Sequence, residues 1–298
     1  MKDKILELKK KRKAIILAHN YQLPEIQDIA DYIADSLGLA QQAAKTEAEV
    51  IVFCGVHFMA EMAAILCPDK LVLMPDKTAG CPMANMITPE GLRKLKAEHP
   101  QAKVVAYVNT SADVKAECDV CCTSANAGKV IEATVAPEII FVPDKYLGHY
   151  WQTQLPQKKL ILWPGYCPIH MYILPEGIKE LKGKHPQAEV MVHPECTPEV
   201  IALADKVLST GGMVKWAKES KAKEIIVGTE VGIIYRLKKE NPEKEFYAAS
   251  EMAICPNMKK INLEKVLLSL EELKDKITVP EEIAVKAKKS IDRMLEIV

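Results

Sequence analysis

The sequence has no excess of either charge: 40 Lys and Arg are balanced by 40 Asp and Glu. At whole-chain level this excludes the electrostatic footprint of a nucleic-acid or anionic-membrane binder. The basic run Lys9 to Lys13 reads as a solvated helix end. Long hydrophobic runs are missing too. AIILA near the N-terminus has five apolar residues, short of a secretory core, and His19 and Asn20 end it. No other segment approaches the roughly 18 apolar residues of a membrane span. The expected compartment is therefore cytoplasmic. Nine cysteines in a chain without a secretory signal point to thiols, metal ligands or catalysis before disulfides. What remains is 49% hydrophobic and 27% charged, the profile of an ordinary globular protein with room for one large domain or two or three smaller ones.

Apolar runs of four to seven residues alternate with longer helical stretches along the whole chain. AIILAH, EVIVFC, KLVLMP, KVVAYV, EIIFVP, KLILWP, EVMVH, EIIVGT and EFYAA read as buried parallel strands. The segments between them open at Thr-Pro or Leu-Pro and close at His-Pro, as helices do. This is an α/β alternation with helix-covered parallel sheets. It also repeats. TPEGLRKLKAEHPQAKVVAYV, from 88, and LPEGIKELKGKHPQAEVMVH, from 174, lie 86 positions apart. Extending the match gives three units of about 87 residues, each running strand, helix, short polar turn, helix, strand, helix, strand, Cys-Pro. The domains are expected at 1–86 with 259–298, at 87–172 and at 173–258. The C-terminal helices should close the first of them.

Equivalent positions carry chemistry. The first strand of each unit ends in His19-Asn20-Tyr21, Tyr107-Val108-Asn109 or His193-Pro194-Glu195. Side chains at i and i+2 share a side of a strand, and parallel sheets bind ligands beyond their carboxyl ends. Each triplet thus offers two polar groups to a site. Seventeen residues after each triplet begins stands a hydroxyl, Ser36, Ser124 or Thr210, opening a helical stretch. A hydroxyl with free backbone N–H groups behind it is a cap or an anion site.

Cys81, Cys167 and Cys255 each precede proline and occupy the same place in their units. If the strand ends face a common axis, these three thiols converge and suit a soft metal. Zinc with three thiolates and water is one such centre. A [4Fe–4S] cluster, with three thiolates and one iron open to substrate, is the other. Cys54 and Cys67 read as core residues. The cluster CDVCC (Cys118, Cys121, Cys122) occurs in one unit only and reads as structural. Cys196 neighbours the site, and His170 is a core histidine or a site residue in equal measure.

With AHNYQ (18 to 22), IADSLGLA (33 to 40), YVNTSADVKA (107 to 116), CCTSANA (121 to 127), PGYCPIH (164 to 170), HPEC (193 to 196) and STGGM (209 to 213) in place, the chain resembles the quinolinate synthase (quinolinate synthetase A) family over essentially its whole length. The resemblance implies three doubly wound αβα sandwich domains related by a pseudo-threefold axis, with the active site at their junction. It implies a [4Fe–4S] cluster on Cys81, Cys167 and Cys255. It implies condensation of iminoaspartate with dihydroxyacetone phosphate to quinolinate, the pyridine precursor of NAD, and functional coupling to an aspartate-oxidising enzyme. Tyr21, Tyr107, Glu195, His19 and His193 are then the catalytic candidates. Ser36, Asn109, Ser124, His170 and Thr210 join His19, Tyr107, His193 and Glu195 in binding substrate. From the residues alone, another hydro-lyase with an open iron fits as well. A metal or redox sensor fits less well, since neither a basic surface nor a partner-binding helix is visible.

Overall fold

A computed structural model describes residues 1–297. Among them lie three four-stranded sheets. The first contains β1 (Ala14–His19), β2 (Tyr32–Ala34), β3 (Val50–Cys54) and β4 (Leu71–Leu73), in the order β2-β1-β3-β4. The second contains β5 (Lys103–Tyr107), β6 (Val120–Cys122), β7 (Ile139–Val142) and β8 (Leu160–Leu162), in the order β6-β5-β7-β8. The third contains β9 (Glu189–Val192), β10 (Lys206–Val207), β11 (Glu224–Gly228) and β12 (Glu245–Ala248), in the order β10-β9-β11-β12. All pairings are parallel. The fold is a triple αβα sandwich.

The nine apolar runs form strands; β2, β6 and β10 do not come from them. These three sit where the sequence reads as a polar turn, and they are edge strands of two or three residues. Such a strand is too short to show a period, and an aspartate fixes it in place. Asp31, Asp119 and Asp205 each accept a hydrogen bond at 2.8 Å from the central strand, at the N–H of Ile16, Val104 and Val190 respectively.

Both faces of each sheet are covered, and alternation sorts the side chains between them. Leu17, Ile51 and Phe53 enter the large core shared with the second unit. Ile16, Ala18, Val50, Val52 and Cys54 enter a separate core under the helices Lys2–Lys11 and Leu263–Glu272. Cys54 and Cys67 are core residues.

The C-terminal segment divides. Helix Leu263–Glu272 lies on the first sheet, through Val266 and Leu270. Helix Glu281–Glu296 does not stay there. It packs chiefly on β6 and on helix Ala112–Lys115 of the second unit, because its apolar stripe of Ala287, Ile291 and Met294 completes the larger core. Asn126 ties it down, donating to the carbonyl of Met294 at 3.3 Å. Ile291→Ala is expected to cost about 2–5 kcal/mol in urea unfolding, the range for emptying a closed core site, and a cost below about 0.5 kcal/mol would show that this helix does not hold the second unit. No helix among the described residues is long and apolar enough to cross a membrane.

Candidate active site

The carboxyl ends of the three sheets surround one cavity. All six strand-end side chains line it: His19 and Tyr21, Tyr107 and Asn109, His193 and Glu195. So do Ser36, Ser124, Thr210, His170 and the three cysteines Cys81, Cys167 and Cys255. Cys118, Cys121 and Cys122 are not on its wall; the last two are buried on β6. Cys196 is also off the wall, buried with its sulfur 3.5 Å from the Gly228 carbonyl.

The hydroxyls do not cap their helices. Asp35 caps helix Ser36–Lys45, accepting from Gly38 N–H at 2.9 Å, and Ser209 caps Thr210–Glu219, accepting from Gly212 N–H at 3.1 Å. Capping falls one residue earlier, so Ser36 and Thr210 are the first helical residues and are not spent on capping. In the second unit Asn126 precedes helix Ala127–Ala133, and Thr123 N–H donates to its Oδ1 at 2.8 Å, with Ser124 in the turn between. The first and third helix starts abut: Ser209 donates to Asp35 Oδ2 at 3.4 Å. A Cβ at Gly211 would stand 2.4 Å from that same oxygen, so a larger residue there would have to push the Asp35 carboxylate aside.

A buried chain of polar groups crosses the cavity wall. Tyr107 donates to Glu195 Oε1 at 2.5 Å. Glu195 Oε2 lies 2.8 Å from His170 Nδ1, an ion-pair distance outside ideal hydrogen-bond alignment. On the other side of the ring, His170 Nε2 and the Thr229 hydroxyl are hydrogen-bonded at 2.9 Å. The Thr229 and Tyr21 hydroxyls are in turn hydrogen-bonded to each other at 2.5 Å. The line Tyr21, Thr229, His170, Glu195, Tyr107 joins all three units. Asn109 Oδ1 is buried without a partner among the described residues, which leaves it for a ligand.

Burial would raise the Glu195 carboxyl, but His193, His170 and the Tyr107 hydroxyl outweigh it, so the group lies below the usual carboxylate range. Burial lowers His19 to about 3 and His193 to about 4, leaving both neutral near pH 7. Their protons are placed by the backbone. Tyr21 N–H donates to His19 Nδ1 at 3.2 Å, and Glu195 N–H to His193 Nδ1 at 3.4 Å. Each ring therefore carries its hydrogen on Nε2. His193 uses it on the Ser124 oxygen, 3.1 Å away.

Each cysteine leads into a 3-10 turn three residues on, Ala84–Met86, His170–Tyr172 or Met258–Lys260. Burial pushes the Cys81 thiol up to about 12 and raises Cys167 and Cys255 as well. Opposing it, backbone amides of these turns point at the sulfurs: Ala84 and Met83 at Cys81, His170 at Cys167, Met258 and Asn257 at Cys255. Amides aimed at buried sulfur favour thiolate, the form that holds metal, and three such sulfurs on one wall fit an iron–sulfur group. Among the described residues, Cys167, His170 and Glu195 also bring donor atoms within 4.8 Å of one another, a geometry open to a single ion.

The sequence reading missed what stands behind these turns. Glu230 accepts from the Cys255 N–H at 3.0 Å and is paired with Lys259 at 2.8 Å. Asp144 is its counterpart 86 positions earlier. Asp144 is fully buried and held by the amides of Tyr146 and Leu147, both at 2.8 Å; burial and Glu195 raise its carboxyl. The corresponding backbone contact in the first unit, His57 N–H to the Ala79 carbonyl, makes Val56 the third counterpart. Thr229 was missed as well. The repeat register would have found Glu230 with Asp144, since both follow the third strand of their units.

The family described as Quinolinate synthetase A protein matches residues 3–296. A quinolinate synthase of Dehalococcoides mccartyi (strain CBDB1) is 60% identical over 295 residues, covering 99% of this chain and 97% of that protein. One of Methanosarcina barkeri (strain Fusaro) is 55% identical over 295 residues, with 99% and 97% coverage. One of Geobacter sp. (strain M21) is 54% identical over 297 residues, with 100% and 97% coverage.

Proposed function

The chain belongs to the quinolinate synthetase A family, and we propose that it condenses iminoaspartate with dihydroxyacetone phosphate to quinolinate, releasing phosphate and two waters. The observation that carries this reading is the convergence on one cavity of three thiols, a proton-bearing chain and hydroxyls from three helix starts. Cys81, Cys167 and Cys255 hold a [4Fe–4S] cluster. Three thiolates leave one iron without a protein ligand, so the bound cluster supplies a Lewis acid to a substrate hydroxyl or carboxylate.

The remaining roles follow from the side chains. Both substrates carry anionic oxygens. Ser36, Ser124 and Thr210 bind these at the helix starts, where backbone dipoles favour negative charge. Neutral His19 contributes an N–H donor without bringing a cation, and neutral His193 acts through Ser124, whose oxygen takes its N–H. Asn109 orients the substrate through its unpaired oxygen. Losing two waters requires a proton to leave carbon and another to reach each departing hydroxyl. Glu195, kept as carboxylate, accepts the first. Tyr21 and Tyr107, at the two ends of the chain through Thr229 and His170, are placed to deliver and recover the second.

Purified anaerobically, the protein should form quinolinate from these two substrates. Dehydration of simple hydroxy acids without any quinolinate would replace this reading by another open-iron hydro-lyase. Tyr21→Phe is expected to keep its iron and lower kcat by about 10²-fold or more, the lower end for a positioned acid or base; unchanged turnover would remove Tyr21 from that role.

A further inference from the structure

We infer that Arg236 and Asn20 are positioning residues that fix which way the Thr210 hydroxyl points, so that it meets the ligand as a hydrogen-bond donor. The inference rests on Thr210 being a ligand contact, as read above. Arg236 stands on helix Ile233–Glu240 of the third unit. Its Nη1 donates at 2.7 Å to Asn20 Oδ1 and at 2.7 Å to the Ile33 carbonyl, while Nε donates at 2.6 Å to Glu240. Asn20 is completely buried at the end of β1 in the first unit. Its Nδ2 donates at 2.9 Å to Thr210 Oγ1, back in the third unit.

The direction of this path is not arbitrary. A guanidinium is always charged and only donates. The group facing it must be the Asn20 oxygen, so the amide nitrogen must face Thr210. Thr210 then accepts from behind, and its single proton is left for the cavity that it lines. A carboxylate or phosphate oxygen is the complementary partner; an N–H or protonated group is not. Ser124 shows the same arrangement by other means, since the His193 proton placed on Nε2 occupies its oxygen from behind. The Arg236 path crosses from the third unit to the first and back, and nothing in the repeat supplies it. The position of Asn20 is held by Val108 and Pro194 in the other units.

Asn20→Asp tests this with almost no change of shape. A carboxylate accepts from both Arg236 and Thr210, so the hydroxyl turns back and shows lone pairs to the cavity. Titration of the anaerobic holoenzyme with inorganic phosphate, and separately with quinolinate as a dicarboxylate, identifies which oxygen Thr210 meets. Asn20→Asp should weaken one of the two probes by about 10- to 100-fold, the range for a hydrogen bond to a charged group, and the other far less. In a Thr210→Val background the same change should alter binding by less than about 2-fold, since coupled residues are non-additive. Arg236→Lys, which keeps a donor, should retain most of the affinity, whereas Arg236→Met should not. Undiminished affinity for both probes in Asn20→Asp overturns the inference. So does an equal loss with Val at 210, which would mean a general charge effect, or binding of neither probe by the parent enzyme. The titrations read binding and not turnover, so a failed synthesis assay leaves their outcome distinguishable.

Discussion

Cys167→Ala is expected to give a folded but colourless protein that holds almost no iron, against about four irons per chain in the parent. Cys81→Ala and Cys255→Ala should behave alike, since each sulfur begins an equivalent turn with backbone amides directed at it. With three protein thiolates, losing one leaves a group held by two, too few to retain it through purification. The fold should survive, because these residues are at the cavity wall and only partly buried, not in the sheet cores. Circular dichroism and iron analysis on the same sample separate the two effects. Cys121→Ala is the control: its thiol is buried on β6 near Ser290, and its loss should lower stability while leaving iron in place. A parent protein that is colourless and carries stoichiometric zinc would sink the iron–sulfur assignment and point to the Cys167, His170 and Glu195 set. Loss of iron on removing Cys121 would sink the assignment of ligands.

Glu195→Gln should keep its iron and lose turnover by about 10²–10⁴-fold, the usual worth of a positioned acid–base group. The carboxylate is the only acceptor that can receive Tyr107 and His170 together. A glutamine amide meets at least one of these donors with its own N–H, which breaks the chain from Tyr21 as well as removing the base. The loss should therefore fall mainly on kcat, with KM changing little, because the hydroxyls that hold substrate are untouched. If kcat is retained and KM rises instead, Glu195 binds and does not transfer protons. Its charge has a second consequence. A carboxyl whose folded pKa is depressed stabilises the fold above its unfolded value, and that contribution disappears as pH falls through the folded one. Glu195→Gln should thus flatten part of the acid side of the stability curve.

Much of this architecture was legible because the chain says it three times. The nine apolar runs, the Cys-Pro trio and the paired strand-end side chains need only periodicity and alignment within one sequence. What escaped has physical reasons. The edge strands are two or three residues long and are held by Asp31, Asp119 and Asp205, whose common role appears only when backbone partners are known. Ser36 and Thr210 look like caps in sequence, since each begins a helix and precedes glycine or leucine-glycine; Asp35 and Ser209 compete for the same duty and take it. Thr229, Asn20 and Arg236 act across the junctions between units. No local pattern encodes which surfaces of the units meet. Helix Glu281–Glu296 has a clear apolar stripe, but a stripe does not name the sheet that will cover it.

Glu230 and Asp144 stand behind two of the three cysteine turns, and Val56 stands behind the first. A strictly repeated frame would offer a small ligand three rotated poses of equal energy. Two acids and a valine make those poses unequal, so the cavity distinguishes orientations that the repeated backbone does not. A ligand with two unlike ends then meets unlike surroundings in each pose. For the proposed joining of two different small molecules, such a difference favours one arrangement of the pair over its rotated copies.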